Sequence, residues 1–148
     1  MRNLLLLVAT SSLLAIAGTP ARAQVADVIV ADIPFGFTVR NTTLSAGRYT
    51  INRLGSQPGV MVVRDADGHG MVVFLTGAVQ ARKEPNVNEL IFDRAGDQYF
   101  LSEIFEEGNR DGVELQKSRA ERRLEKEGVT IEVHSVSVPG LNAVSDKK

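Results

Sequence analysis

From residue 28 onward the apolar positions recur mostly at every second residue, the spacing of a half-buried strand. Val28, Val30, Ile33, Phe35, Phe37 and Val39 form the first series. Its parity changes between Val30 and Ile33, which predicts a bulge or bend near Asp32 and Pro34, where a residue lacking an amide hydrogen fits best. Asn41, Thr42 and Thr43 read as a connection, and Ala46 with Gly47 as a turn into a strand over 49–53 that puts Tyr49 and Ile51 on one face. Two β-prone runs follow at 60–64 and 71–75. Asp67 and Gly68 between them signal a hairpin, because both tolerate left-handed backbone. Consecutive apolar residues in both runs predict that at least one is covered on both faces.

Residues 81–88, with Pro85, form the longest polar connection. Leu90 and Phe92 then alternate with Ile91 and Asp93, Ala95 and Gly96 turn the chain, and residues 99–105 return as the second strand of another hairpin. The segment 106–112 is polar and broken by glycine. Val113 and Leu115 share strand parity. Ser118 and Glu121 have capping-box spacing, so a helix is predicted to start near Lys117 or Ser118 and to stop before Gly128. Ala120 and Leu124 give it a narrow apolar stripe, with Arg119, Arg122, Arg123, Glu125 and Glu127 expected in water. Val129, Ile131 and Val133 alternate in the last strand. A parity slip before Val136 and Val138 predicts a bulge or break there.

Six or seven strands with short connections and a single late helix predict a mainly β fold: an antiparallel β-sandwich or a partly open β-barrel with one short helix in the C-terminal region. A doubly wound α/β fold would need several long helices.

The first residues follow a different pattern. Arg2 precedes an apolar run over 4–17, and Ala21-Arg22-Ala23 presents small residues before Gln24, as a cleavable secretory signal does. The run is closed by Gly18, Pro20 and Arg22, too short for a spanning helix. The expected organisation is a signal over 1–23, one β-rich domain over 24–141 and a polar tail over 142–148. No other long apolar run follows, so no integral membrane segment is expected after cleavage. The chain has no cysteine, which excludes disulfides and thiolate metal sites and fits a periplasmic or extracellular location in a Gram-negative bacterium. Cleavage would remove two of the 17 basic residues and none of the 18 acidic ones, leaving 15 against 18 and a net charge of −3. A nucleic-acid partner is therefore not expected.

Residues 33–39 (Ile-Pro-Phe-Gly-Phe-Thr-Val), 44–49 (Leu-Ser-Ala-Gly-Arg-Tyr), 90–94 (Leu-Ile-Phe-Asp-Arg), 99–101 (Tyr-Phe-Leu) and 114–121 (Glu-Leu-Gln-Lys-Ser-Arg-Ala-Glu) offer a further clue. In that order they resemble blocks of a family of small exported proteins found mainly in Acidobacteria. Ser45 and Gln116 stand where that family commonly has proline. The resemblance implies export and a compact domain, and it brings no reaction, cofactor or site residue with it.

Candidate chemistry is sparse. His69 is placed at the hairpin turn and His134 on the last strand, with no spacing that makes a metal set. Asp65, Asp67 and Gly68 begin like a calcium loop, but the twelfth position is Thr76 rather than glutamate. Asp93, Asp97, Glu103, Glu106 and Glu107 are carboxylates that a glycosidase would have to pair at a set separation. No serine sits in a nucleophile elbow, and the Gly68-His69-Gly70 run lacks the spacing of a phosphate loop. Phe35, Phe37, Tyr49, Phe92, Tyr99 and Leu101 are expected to pack the core. No residue is assigned to catalysis, a cofactor or a metal. The expected function is a noncatalytic binding or interaction module with an envelope ligand or protein as partner. The alternatives are a self-associating structural subunit, hence a homo-oligomer, and a small carbohydrate-active enzyme.

Overall fold

The computed structural model describes residues 28–140. The expected signal over 1–23 and the tail over 142–148 lie outside the described residues. Ten strands and one helix follow in order: β1 (Ile29–Ile33), β2 (Phe37–Val39), β3 (Thr42–Leu44), β4 (Gly47–Arg53), β5 (Val60–Asp65), β6 (Met71–Gln80), β7 (Asn88–Ala95), β8 (Gln98–Phe105), β9 (Asp111–Leu115), α1 (Arg119–Lys126) and β10 (Ile131–Val138). The sheet is open rather than a closed barrel, and the architecture is β-sandwich-like. Its first part is β1, β4, β5 and the start of β6, and its second part is β10, β7 and β8 with β2–β3 and β9 beside β8.

β6 joins the two parts. Residues 71–75 pair with β5, and residues 76–80 pair with β9. All pairings are antiparallel except a single parallel one between Thr38 of β2 and Phe100 of β8. Between the two parts lies one core: Ile29, Ala31, Ile33, Phe37, Val39, Tyr49, Ile51, Met61, Val63, Phe74, Leu90, Phe92, Leu101, Ile104, Leu115 and Val138. Phe35 and Tyr99 are half-buried against it. β5 is the strand covered on both faces, since Met61, Val62 and Val63 are all buried.

Three local expectations need correction. The inward residues of β1 are Ile29, Ala31 and Ile33, with Val30 outward, so the parity runs unbroken into Phe37 and Val39 and calls for no bulge. Of the two alternatives the bend is present, at Phe35 just after Pro34, where the chain leaves β1 and crosses to the second part. Residues 42–44 form a strand rather than a connection. β10 runs without a break along the whole of β7; its outward Val133 mimicked core alternation because β10 is an edge strand whose outer side is exposed. The bulge sits instead in β8, where Ser102 is the extra residue opposite the Ile91–Phe92 step. Its hydroxyl lies 3.3 Å from the Ile91 carbonyl, to which it donates. Bulges reorient the side chains beyond them, and here Leu101 and Ile104 both reach the core across Ser102 and Glu103.

Candidate functional site

Parity and register define what faces outward on the second part of the sheet. Thr38 lies between core residues Phe37 and Val39, and it pairs with Phe100, which pairs in turn with Asp93. Glu103 pairs with Ile91 on one side and Glu114 on the other. These residues share one outward face, and α1 lies against it through β7.

The helix forms where its caps require. Ser118 Oγ accepts from the Glu121 amide at 3.0 Å and Glu121 Oε2 accepts from the Ser118 amide at 3.2 Å, a complete capping box. At the other end Gly128 has φ +81, the left-handed conformation that glycine adopts freely. Its packing differs from the expected stripe. Ala120 and Leu124 are only half-buried, Glu125 is half-buried too, and the residue turned fully inward is Glu121, 3% exposed.

Glu121 is buried beside Asp93 of β7. Its Oε1 has no hydrogen-bond donor within reach and stands 3.9 Å from Lys117 Nζ, which pairs with Glu125. Burial, and then the Asp93 carboxyl, push the Glu121 carboxyl up to about 7. Burial and a neighbouring carboxyl both disfavour the charged form of Glu121. Glu103 is raised as well, by burial and by the neighbouring Asp93 and Glu114. The fold thus gathers Asp93 and Glu103 with Glu114 and Glu121, two acids that strand spacing gave no reason to include. Asp97 remains in the β7–β8 turn, Glu106 pairs with Arg53 at 3.5 Å, and the Glu107 amide donates to Asn88 Oδ1. No group of three or more His, Asp or Glu among the described residues is arranged to hold a metal.

A cleft of about 440 Å³ opens beside α1 on the β2–β3 side, lined by Thr38, Arg40, Asn41, Thr43, Gln98, Arg119, Ala120 and Arg123. Thr38 and Thr43 oxygens are 3.2 Å apart across the hairpin. Arg40 is the first residue of a two-residue turn and has φ +59, the only positive φ outside glycine among the described residues. A second depression of about 300 Å³ lies at the 81–87 connection, lined by Lys83, Glu84, Pro85, Asn86, Glu89, Phe105 and Ala81.

The first part of the sheet offers a different surface. Residues 71–75 pair with β5 on one edge, and no strand among the described residues pairs on the other. Met71, Val73 and Leu75 point outward there, 58%, 46% and 60% exposed. β6 carries no charged residue and no proline along its whole length.

The remaining candidates have local explanations. His69 is an exposed turn residue whose amide donates to Asp65 Oδ1 at 2.7 Å, while the Gly70 amide donates to Asp65 Oδ2 at 2.7 Å. Asp65 therefore closes the hairpin rather than starting a cation loop. His134 is exposed on β10 and meets Phe35 and Tyr99 edge-on, with ring centroids 5.3 and 5.6 Å apart. Phe35 and Tyr99 stack at 4.0 Å, and Arg94 lies 5.6 Å from the Tyr99 ring. Phe37, Tyr49, Phe92 and Leu101 are buried as expected. Comparison with family models, curated proteins and solved structures gives no match.

Proposed function

We propose that the protein is an exported, noncatalytic interaction module that binds an extended, uncharged segment of a protein partner along the free edge of β6. The observation that carries this reading is the combination at residues 71–75 of unpaired backbone groups, three exposed apolar side chains on alternate positions and no charge. Edge strands are ordinarily blunted by lysine, proline or a bulge, and an edge without them is a template for another strand. Strand addition then draws affinity from main-chain hydrogen bonds and selectivity from alternate side chains. Other edges here are marked with polar groups: Asp32 pairs with Arg48 beside β1, and β10 presents Glu132 and His134.

The buried Glu121 carboxyl supports a noncatalytic role, because it lies on the inward side of α1 and lines neither depression. The segment 1–23 supports export, and mass measurement of the protein secreted by a Gram-negative host should give an N-terminus at Gln24. The likeness to the exported acidobacterial family belongs to the same proposal.

The test is fluorescence anisotropy of a labelled, lysine-flanked peptide carrying residues 71–75. It should bind the native protein and lose binding to Val73→Lys; no binding, or equal binding by both, overturns the reading. A second copy of the chain is the other occupant that the geometry favours, since antiparallel pairing about Val73 sets Met71 opposite Leu75 with no like charges facing. Sedimentation velocity should then show a dimer that Val73→Lys dissolves, whereas a monomer at every concentration removes this second reading. Under the carbohydrate-active reading the carboxyls to test are Glu84 and Glu89, which share the smaller depression. Hydrolysis of a glycoside that disappears in Glu89→Gln would replace the binding reading with that one.

A further inference from the structure

We propose that the cleft between the β2–β3 turn and α1 is a binding site for a phosphate group, either inorganic phosphate or the head of a small phosphate ester. This inference uses none of the residues of the β6 edge and stands independently of it.

Three arginines line the cleft from two elements that are remote in sequence. Arg40 comes from the β2–β3 turn, and Arg119 and Arg123 lie one helical turn apart on α1. No carboxylate lines the cleft; its other polar walls are the hydroxyls of Thr38 and Thr43 and the amides of Asn41 and Gln98. The chain as a whole has more acidic than basic residues, so a wall with three arginines and no acid is not what its composition alone would scatter there. Little competes for these groups. Arg40 donates to the neutral Gln116 Oε1 at 3.2 Å, and Arg123 has only a 3.9 Å approach to exposed Glu127. Arg119 has no ion pair among the described residues. The volume, about 440 Å³, is that of a small-ligand site.

Arginine is the residue suited to this chemistry. Its planar fork meets two oxygens of an oxyanion at once and remains charged at every relevant pH. Three such groups match a phosphate dianion better than a single carboxylate, which would leave positive charge unpaired. The threonine, asparagine and glutamine side chains around them are suited to the hydroxyls of an attached polyol.

Arg40 supplies a separate argument. Two-residue hairpin turns that need a positive φ at their first central position normally place Gly, Asn or Asp there. A bulky residue held at φ +59 is in an uncommon conformation, and such residues gather at ligand sites. Glycine at this position would suit the backbone, yet it would take the guanidinium out of the cleft. The geometry thus separates what the turn requires from what the ligand requires.

Isothermal titration calorimetry of the purified protein with inorganic phosphate, glycerol 3-phosphate and acetate tests the site. Both phosphates should bind, with affinity falling as salt rises, and acetate should not compete. Arg119→Gln and Arg123→Gln should each weaken phosphate binding by roughly tenfold, as loss of one charge-assisted hydrogen bond does. Arg40→Gly should weaken it similarly while the melting temperature stays level or rises, a pairing that a purely structural role for Arg40 would not produce. Tighter binding of glycerol 3-phosphate assigns the ester as ligand, and tighter binding of inorganic phosphate assigns the free anion. Absence of phosphate binding, equal competition by acetate, or binding unchanged in all three variants overturns the proposal.

Discussion

On the second part of the sheet the outward residues Asp93, Phe100 and Glu103 lie on the face that α1 covers, whereas on the first part Met71, Val73 and Leu75 face outward with no described element over them. The covered face contains the more awkward chemistry, since the Glu121 carboxyl is buried there beside half-buried Asp93, with Phe100 2% exposed. The uncovered edge is simpler, being uncharged, β-prone and half-paired. Burial therefore does not follow hydrophobicity alone in this molecule. The helix, fixed by its caps, turns Glu121 inward, and under the proposed function the apolar edge is left for a partner.

The comparison breaks most sharply if the covered face proves dispensable. Phe100→Ala removes a fully buried ring and should cost about 3–5 kcal/mol in denaturant unfolding, because lost transfer energy and a residual cavity add. A loss near zero would mean that the face is not packed as described.

Next in size is the carboxyl pair. Glu121 ionises near 4.5 when unfolded and near 7 when folded, so the unfolded chain releases its proton first as pH rises. Stability should be greatest below about pH 4.5, fall between there and pH 7, and level off above, by at most about 3 kcal/mol from this group. Asp93, Glu103, Glu114, Lys117 and Glu125 surround or neighbour the site, and Glu103, also raised, adds to the same slope. Glu121→Gln keeps the capping-box geometry and offers Asp93 a donor, so it should flatten the slope and stabilise the protein at pH 8. An unchanged pH profile would show that burial does not hold the Glu121 proton in the folded protein.

Smaller effects come from the ends and exposed side of α1. Ser118→Ala loses the N-cap acceptor and should cost about 0.5–2 kcal/mol. Arg122→Ala, on the exposed side, should change stability by no more than about 0.5 kcal/mol. Val73→Lys belongs with the smallest effects on folding, since Val73 is 46% exposed, although it should have the largest effect on association. If thermal melts instead ranked Arg122→Ala above Ser118→Ala, the cap would not be what anchors the helix.

Much of this contrast could be read from the chain. The hairpin around Gly68, the turn at Gly96, the capping box and the Gly128 stop are local, with each signal lying within a few residues of the geometry it fixes. The docking of α1 could not be read in the same way. The apolar spacing of Ala120 and Leu124 pointed to one side, but the side that faces inward carries Glu121, against a strand far away in sequence. Leu124→Ala should accordingly cost less than the 2–5 kcal/mol typical of a fully buried leucine. The arginine cleft was hidden for the same reason, since Arg40 joins Arg119 and Arg123 only through the β2–β8 pairing. The free edge of β6 depends on where β9 begins to pair, which no pattern within 71–80 records.

Amide hydrogen exchange along β6 tests the central claim most directly. In the free protein, the amides of residues 71–75 that point away from β5 should exchange quickly, while those bonded to β5 are protected. Adding the lysine-flanked peptide should protect the fast set and leave the edges of β1 and β10 unchanged. If the peptide binds and those amides still exchange quickly, or if protection appears at another edge instead, β6 is not the strand that receives a partner.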